Sequence, residues 1–288
     1  MRKLEIYIPT SKGKEKYIGT LVPASWDELN PRQLLRCMRW LYGFSVPEGA
    51  SEKEAQAVKA MQKRMLLKEL LGLKPWYFKA LPDIAIAQLH SCTDFLFSSN
   101  NLTKQLLPAI GSRFRKWYGP KERFRNLSFL EFIFADTYHL RFIKTGDPDC
   151  LHKLLAVLYR PKVGFHFIRK RLSSYSGDIR EPFNEHLLEA RAAQMQRLPE
   201  DVKLAVLAWY RGCRNRLEQT YDLVFTSENE EQATKSSGWE PVFRQMAGGK
   251  FGDIERVGKV PVHTILAEMQ DLLHQKQEWE RKNPVKKH

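Results

Sequence analysis

The chain has 288 residues, 43% hydrophobic and 28% charged, with 7 Trp, 10 Tyr, 16 Phe and a formal net charge of +14. So many aromatics exclude a disordered chain, which lacks the apolar surface to offset its lost entropy. A mean hydropathy of -0.47, with no apolar run near 18 residues, excludes a membrane-crossing helix.

The elements then follow in chain order. Leu4–Ile8 alternates and Tyr17–Val22 is rich in strand formers, with polar Ser11–Lys16 between them, which predicts a β-hairpin over 1–24. The opening MRKLEIYIPTSKGKEK has no apolar core, so no secretory signal is expected. Asn30-Pro31 reads as an N-cap with proline at the first helical position, followed by Leu34, Leu35, Met38, Leu41 and Tyr42 at helical spacing. Phe44–Ala50 reads as a loop. Ser51-Glu-Lys-Glu54 is a capping box opening a helix to about Leu71, where Gly72 stops it. A further helix is expected from Pro82 to Phe97. Residues 98–127 lack a clear period and predict an extended excursion with short strands near 100–125. Ser128-Phe-Leu-Glu131 is a second capping box, with a helix to about Lys144 and a stop at Gly146. Asp147-Pro148 caps a helix to Tyr159, Pro182 opens one to about Arg197, and Pro199-Glu-Asp201 opens one to about Tyr221. Residues 226–238 read as a polar linker. Trp239–Ala247 reads as a short helix ended by Gly248-Gly249 and Gly252. A last helix from Pro261 carries the stripe Val262, Ile265, Leu266, Met269, Leu272 and Leu273. The expected architecture is mainly α: one multi-helix core over 25–225, the N-terminal hairpin, the 226–238 linker and a helical appendage over 239–288.

Chemical motifs are sparse. Gly248-Gly-Lys-Phe-Gly252 lacks the Ser/Thr and the preceding strand of a phosphate loop and reads as a helix-ending turn. Asp136 and His139 stand three apart on a helix, but no third metal ligand accompanies them. Asp147 and Asp149 read as helix-start acids, and the acids Asp149 and Asp201 with Lys203 sit at helix starts rather than where a two-metal clamp needs them. Cys37, Cys92, Cys150 and Cys213 lie 55, 58 and 63 residues apart, neither metal clips nor a disulfide framework, and are expected as buried thiols in a reducing compartment. Neither a catalytic residue nor a metal or cofactor is expected.

The charge is uneven. Residues 101–180 carry 16 Lys/Arg against 6 Asp/Glu, whereas 181–288 carry 16 against 17. Two blocks hold most of the excess: Arg113, Arg115, Lys116, Arg123 and Arg125, then Arg160, Lys162, Arg169, Lys170 and Arg171. Both interleave basic residues with aromatics, a composition that neutralises phosphates and stacks on bases. The same composition suits a solvated loop or a patch that meets an acidic protein.

Several phrases carry a family resemblance: Trp26-Asp-Glu-Leu-Asn-Pro-Arg-Gln-Leu-Leu35, Leu127-Ser-Phe-Leu-Glu-Phe-Ile-Phe-Ala-Asp136, Leu154-Leu-Ala-Val-Leu-Tyr-Arg-Pro-Lys162, Gly177-Asp-Ile-Arg-Glu-Pro-Phe183, Val202-Lys-Leu-Ala-Val-Leu-Ala-Trp-Tyr-Arg-Gly-Cys-Arg214, and Trp239 followed by Met246-Ala-Gly-Gly-Lys-Phe-Gly252. In this order they resemble uncharacterised phage and prophage tail-module proteins, some of them like tail assembly chaperones. The resemblance implies a non-enzymatic assembly protein in the bacterial cytoplasm or the virion. Its implied partners are the tape-measure or tail-tube proteins or a second copy, with no membrane. The alternative is a basic nucleic-acid-binding protein of mobile-element origin, acting through the two blocks.

Overall fold

In the computed structural model, the structure describes residues 1–9, 15–44, 49–165, 171, 177–225, 239 and 252–283. The fold is mainly α, with two small two-stranded antiparallel sheets among the described residues. Contacts divide the chain along lines other than the expected 25–225 core. One compact unit joins Met1–Leu106 to Pro199–Gly212, and the other joins Leu107–Leu198 to Cys213–His288.

The first unit opens with β1 (Arg2–Pro9) and β2 (Glu15–Val22), paired from Arg2↔Val22 to Pro9↔Glu15. Strand alternation puts Ile6, Ile8 and Val22 on the buried face and leaves Tyr7, Tyr17 and Leu21 exposed. A 3-10 turn at Trp26–Glu28 fixes the entry to the helices. The Trp26 indole donates to the Phe95 carbonyl at 3.0 Å, and the Asp27 carboxylate accepts from the Thr103 and Lys104 amides at 2.6 and 2.8 Å. Helix α1 (Pro31–Tyr42) starts with a reciprocal capping box, Asn30 with Gln33. Helix α2 (Glu52–Leu71) starts with the Ser51–Glu54 box and ends at Gly72 in the left-handed region, both as the sequence reads. Of the loop expected over 44–50, only 44, 49 and 50 are described. A short α3 (Pro75–Lys79), unanticipated, begins at Pro75.

The helix expected over 82–97 is α only at α4 (Asp83–Leu89) and tightens to 3-10 over His90–Leu96. The Thr93 hydroxyl donates to the His90 carbonyl at 2.7 Å, a local bond that competes with the α-helical ladder. Helix α8 (Glu200–Thr220) contributes its first part to this unit. There Gly212 lets helix and loop backbones touch. A Cβ on it would lie 2.3 Å from the Leu102 carbonyl oxygen.

The second unit contains β3 (Ala109–Gly111), β4 (Lys116–Tyr118), α5 (Phe129–Thr145), α6 (Pro148–Leu158), α7 (Leu188–Met195), the end of α8, α9 (Ile254–Lys259) and α10 (Val262–Lys282). The short strands fall where the 100–125 excursion predicted them. Ser128 caps α5, and Asp147 with Pro148 starts α6. The helix expected from Pro182 starts later, at Leu188, behind a 3-10 turn. The Asn184 side chain accepts from the His186 amide at 2.9 Å and so sets the start beyond the proline. Phe129 and Phe132 are buried and pack edge-on against Trp239 at 6.3 and 5.3 Å. Helix α10 docks by its first turns: Val262 donates to the Leu127 carbonyl at 3.0 Å, and Val262, Ile265, Leu266 and Met269 are buried. The expected stripe ends there, since Leu272 is exposed. The linker, the 240–247 helix and the 248–251 turn lie outside the described residues. No helix among the described residues is long and apolar enough to cross a membrane.

Candidate functional site

The first basic block begins as a tight hairpin tip. β3 and β4 pair as Ala109↔Tyr118, Ile110↔Trp117 and Gly111↔Lys116, with Ile110 and Trp117 buried beneath the ribbon. The Ser112 amide donates to the Arg115 carbonyl at 3.1 Å, and the Arg115 amide donates back to the Ser112 hydroxyl at 3.2 Å. Gly111 has φ +98, and a Cβ there would sit 2.4 Å from the Arg115 oxygen, so only glycine permits this closure. Arg113 and Phe114 therefore form the corners of the turn, and Phe114 is 96% exposed. The Arg115 guanidinium donates to the Gln194 side chain at 3.1 Å.

The ribbon is the start of a longer ladder. Tyr118 exchanges both backbone bonds with Arg160, at 2.8 and 3.0 Å, in antiparallel register. Lys162 then pairs with Arg180, with Val163 donating to Ile179 at 3.0 Å and Glu181 to Pro161 at 2.9 Å. Four chain segments thus lie side by side in the order 109–111, 116–118, 160–162, 179–181.

Their directions alternate, so one end of the ladder collects the tip 112–116, the run from Lys162 to Phe165, and Gly177. The Lys121 ammonium reaches the same end, 3.6 Å from where a Cβ on Gly177 would stand. The fold brings together two basic blocks that are separate in sequence. Arg113, Arg115, Lys116, Lys121, Lys162 and Phe165 are all exposed, Phe165 at 76%. Among the described residues, Arg113, Lys116, Lys121 and Lys162 make no ion pair. Arg171 is exposed, and Arg169 and Lys170 lie outside the described residues.

Arg123 and Arg125 sit on a strained turn. Arg123 and the fully buried Phe124 take φ of 54 and 57, left-handed conformations that cost about 1–2 kcal/mol each in a non-glycine residue. A histidine from α10 holds the turn. His263 Nε2 lies 2.7 Å from the Arg123 carbonyl oxygen, and a carbonyl only accepts, so Nε2 carries the proton. In the neutral ring Nδ1 is then an acceptor for the Tyr221 hydroxyl at 3.1 Å. Arg123 is exposed, while Arg125 pairs with Glu122 at 3.0 Å.

Arg160 does not belong to the exposed patch and corrects the sequence expectation. It is 1% exposed, and its guanidinium donates to Glu131 Oε1 at 2.8 Å. Arg180 is 3% exposed and donates to the other oxygen, Glu131 Oε2, at 3.0 Å, and to Asp178 through both Nε and Nη2. One carboxylate thus bridges two buried arginines. This also revises the second capping box: Ser128 accepts from the Glu131 amide, but the Glu131 side chain turns inward to the arginines.

Burial pulls the Arg160 guanidinium below its ordinary pKa against the opposing pull of Glu131. At Arg180 burial acts the same way, but Glu131 and Asp178 outweigh it and the pKa rises. Burial also works to raise Asp178, and Arg180 overcomes it, holding the carboxyl below the usual range. Sequence reading missed Glu131, Asp178 and Arg180 as a group. The available signal was an acid enclosed by Phe129, Phe132 and Phe134.

Asp136 serves as an acceptor for Arg214 Nε at 2.6 Å and the Trp239 indole at 2.9 Å, and Arg214 also pairs with Glu218. No group of three metal-ligating side chains occurs among the described residues. All four cysteines are buried free thiols, and burial pushes the Cys37 thiol up to about 12.

No family model matches this chain, and neither a curated protein nor a solved structure does.

Proposed function

We propose that this is a non-enzymatic phage or prophage assembly protein of the tail module that acts by binding other proteins, as a tail chaperone or a virion component. Its place is the bacterial cytoplasm or the particle. Its partners are the tape-measure protein, the tail tube or a second copy. The observation that carries the reading, beside the sequence phrases, is the outer face of the N-terminal hairpin. Tyr7, Tyr17 and Leu21 share that face and are all exposed, with the two tyrosine rings edge-on at 5.6 Å. An assembly protein must hold apolar partner surface, and rigid aromatics dominate such contacts at low entropic cost. The hairpin is braced for this: Ile6, Ile8 and Val22 bury its other face, and Thr20 donates to the Leu71 carbonyl at 3.2 Å.

Co-expression with the tail-tube and tape-measure proteins of neighbouring reading frames, followed by affinity capture, tests the reading. Capture of one of them is expected. Tyr7→Ala with Tyr17→Ala should weaken it about 5–30-fold, the range of a truncated interface anchor, without lowering the melting temperature. Failure to capture either protein sinks the proposal.

A further inference from the structure

We propose that the basic end of the four-segment ladder in the second unit is a binding site for single-stranded nucleic acid. The inference goes beyond the assembly reading and does not rest on it.

Two features coincide there. The first is charge without counter-charge. Arg113, Lys116, Lys121 and Lys162 are exposed and, among the described residues, form no ion pair, and Arg115 is held only by the neutral Gln194. Lys116 and Lys162 flank the isolated Tyr118–Arg160 bridge on two adjacent chain segments. Like charges gathered at one end of the ladder repel, and a phosphate backbone relieves the repulsion while releasing its own counterions.

The second feature is aromatic. Each basic segment presents one almost bare phenyl ring, Phe114 at the turn corner and Phe165 beyond Lys162. Phe165 sits at φ +52, a left-handed conformation that a bulky residue rarely takes. A single exposed ring needs no explanation. Two rings among five cations at one end of a sheet match the composition of single-strand sites, where bases stack on aromatics and the backbone runs along a basic track. Stacking on side chains requires unstacked bases, which selects single strands over a duplex. An acidic protein would use the cations and leave both phenyl faces without a flat partner.

The test uses the full chain, freed of bound nucleic acid at high salt. Fluorescence anisotropy is followed with a labelled oligothymidylate of about 15 nucleotides, within the usual site size. A duplex of equal length and a polyglutamate peptide are the comparisons. The single strand is expected to bind tightest. With about five cations engaged, the log–log salt slope should be about -3.5, or roughly 130-fold weaker binding between 50 and 200 mM salt. Phe114→Ala should weaken binding about 5–100-fold with the salt slope unchanged, as loss of a stacked base predicts. Lys116→Ala or Lys162→Ala should instead flatten the slope by about 0.7. All of these side chains are exposed, so melting temperatures should match the parent.

Three results overturn the proposal: no binding of the oligonucleotide at low salt, equal binding of the duplex with no effect of Phe114→Ala or Phe165→Ala, or equal affinity for polyglutamate. The last would assign the surface to an acidic protein.

Discussion

Replacing Glu131 by Gln tests the central electrostatic claim of the second unit. Gln keeps the shape of the side chain and removes its charge. The guanidiniums of Arg160 and Arg180 lie 2.8 and 3.0 Å from the two Glu131 oxygens, and both arginines are almost wholly buried. Gln offers one of them an N–H in place of an acceptor, and leaves Asp178, hydrogen-bonded to Arg180, as the remaining carboxylate of the cluster. Breaking a buried ion pair by removing one partner costs about 3–5 kcal/mol, because the uncompensated charge stays buried. At about 2–4 °C per kcal/mol for a body of this size, the melting temperature of the second unit should fall by about 6–20 °C. Calorimetry gives the shift, and hydrogen exchange assigns it to residues of the second unit. Glu122→Gln is the control: its pair with Arg125 is exposed and worth at most about 1 kcal/mol. Replacing Glu131, Arg160, Arg180 and Asp178 together by apolar residues of similar volume should recover much of the loss, since none of the four charges of the cluster is then left to desolvate. If Glu131→Gln melts within a degree or two of Glu122→Gln, the buried-charge argument fails.

Asp178 gives a pH signature. Its folded pKa is depressed, so the unfolded chain takes up the proton at the higher pH. Its stabilisation is therefore complete above the ordinary aspartate value of 3.8 and is lost as pH falls through the folded value. Asp178→Asn should be less stable at neutral pH and should flatten the acid limb of stability against pH; parallel curves refute this. The Cys37 thiol, pushed up to about 12, should resist a thiol-specific disulfide reagent at pH 8 until denaturant is added, and rapid labelling of the native protein would contradict its burial. Gly212→Ala forces a methyl to within 2.3 Å of a backbone oxygen and should cost about 1–3 kcal/mol or more in chemical denaturation. Gly72→Ala meets open space at φ +61 and should cost about 1 kcal/mol, so an equal effect at the two sites would remove the close-approach argument.

Local signals in the sequence translated well because their partners are local. The Asn30 cap with Pro31, the Ser51–Glu54 box and the left-handed Gly72 each involve residues a few positions apart. The same logic failed at Glu131. A capping box requires the acid to fold back on its own helix start, and two buried guanidiniums from residues 160 and 180 offered a stronger partner. Arg160 was misread for a related reason. Within its own segment it looks like Lys162, a cation in a basic, aromatic stretch. Only the fold separates them, by bringing the Glu131 carboxylate of α5 onto Arg160 and leaving Lys162 exposed. The convergence of the two basic blocks was equally invisible, because the pairing that joins them spans about forty residues and leaves no periodic trace.

That convergence and the buried cluster belong to one construction. The ladder has a closed end and an open end. At the closed end Arg160 and Arg180, on neighbouring segments, are tied to the same Glu131 carboxylate from α5, which fixes the two segments against each other. At the open end the continuation of those segments carries Lys162, Phe165 and Gly177, beside the Arg113–Lys116 tip and the Lys121 ammonium. The buried charges therefore position the exposed ones without touching any ligand. It follows that Glu131→Gln should weaken oligonucleotide binding only to the extent that it unfolds the second unit. Well below its own melting temperature, the variant should keep both the affinity and the salt slope of the parent. A loss of affinity in fully folded Glu131→Gln would refute this division between the buried and the exposed charges.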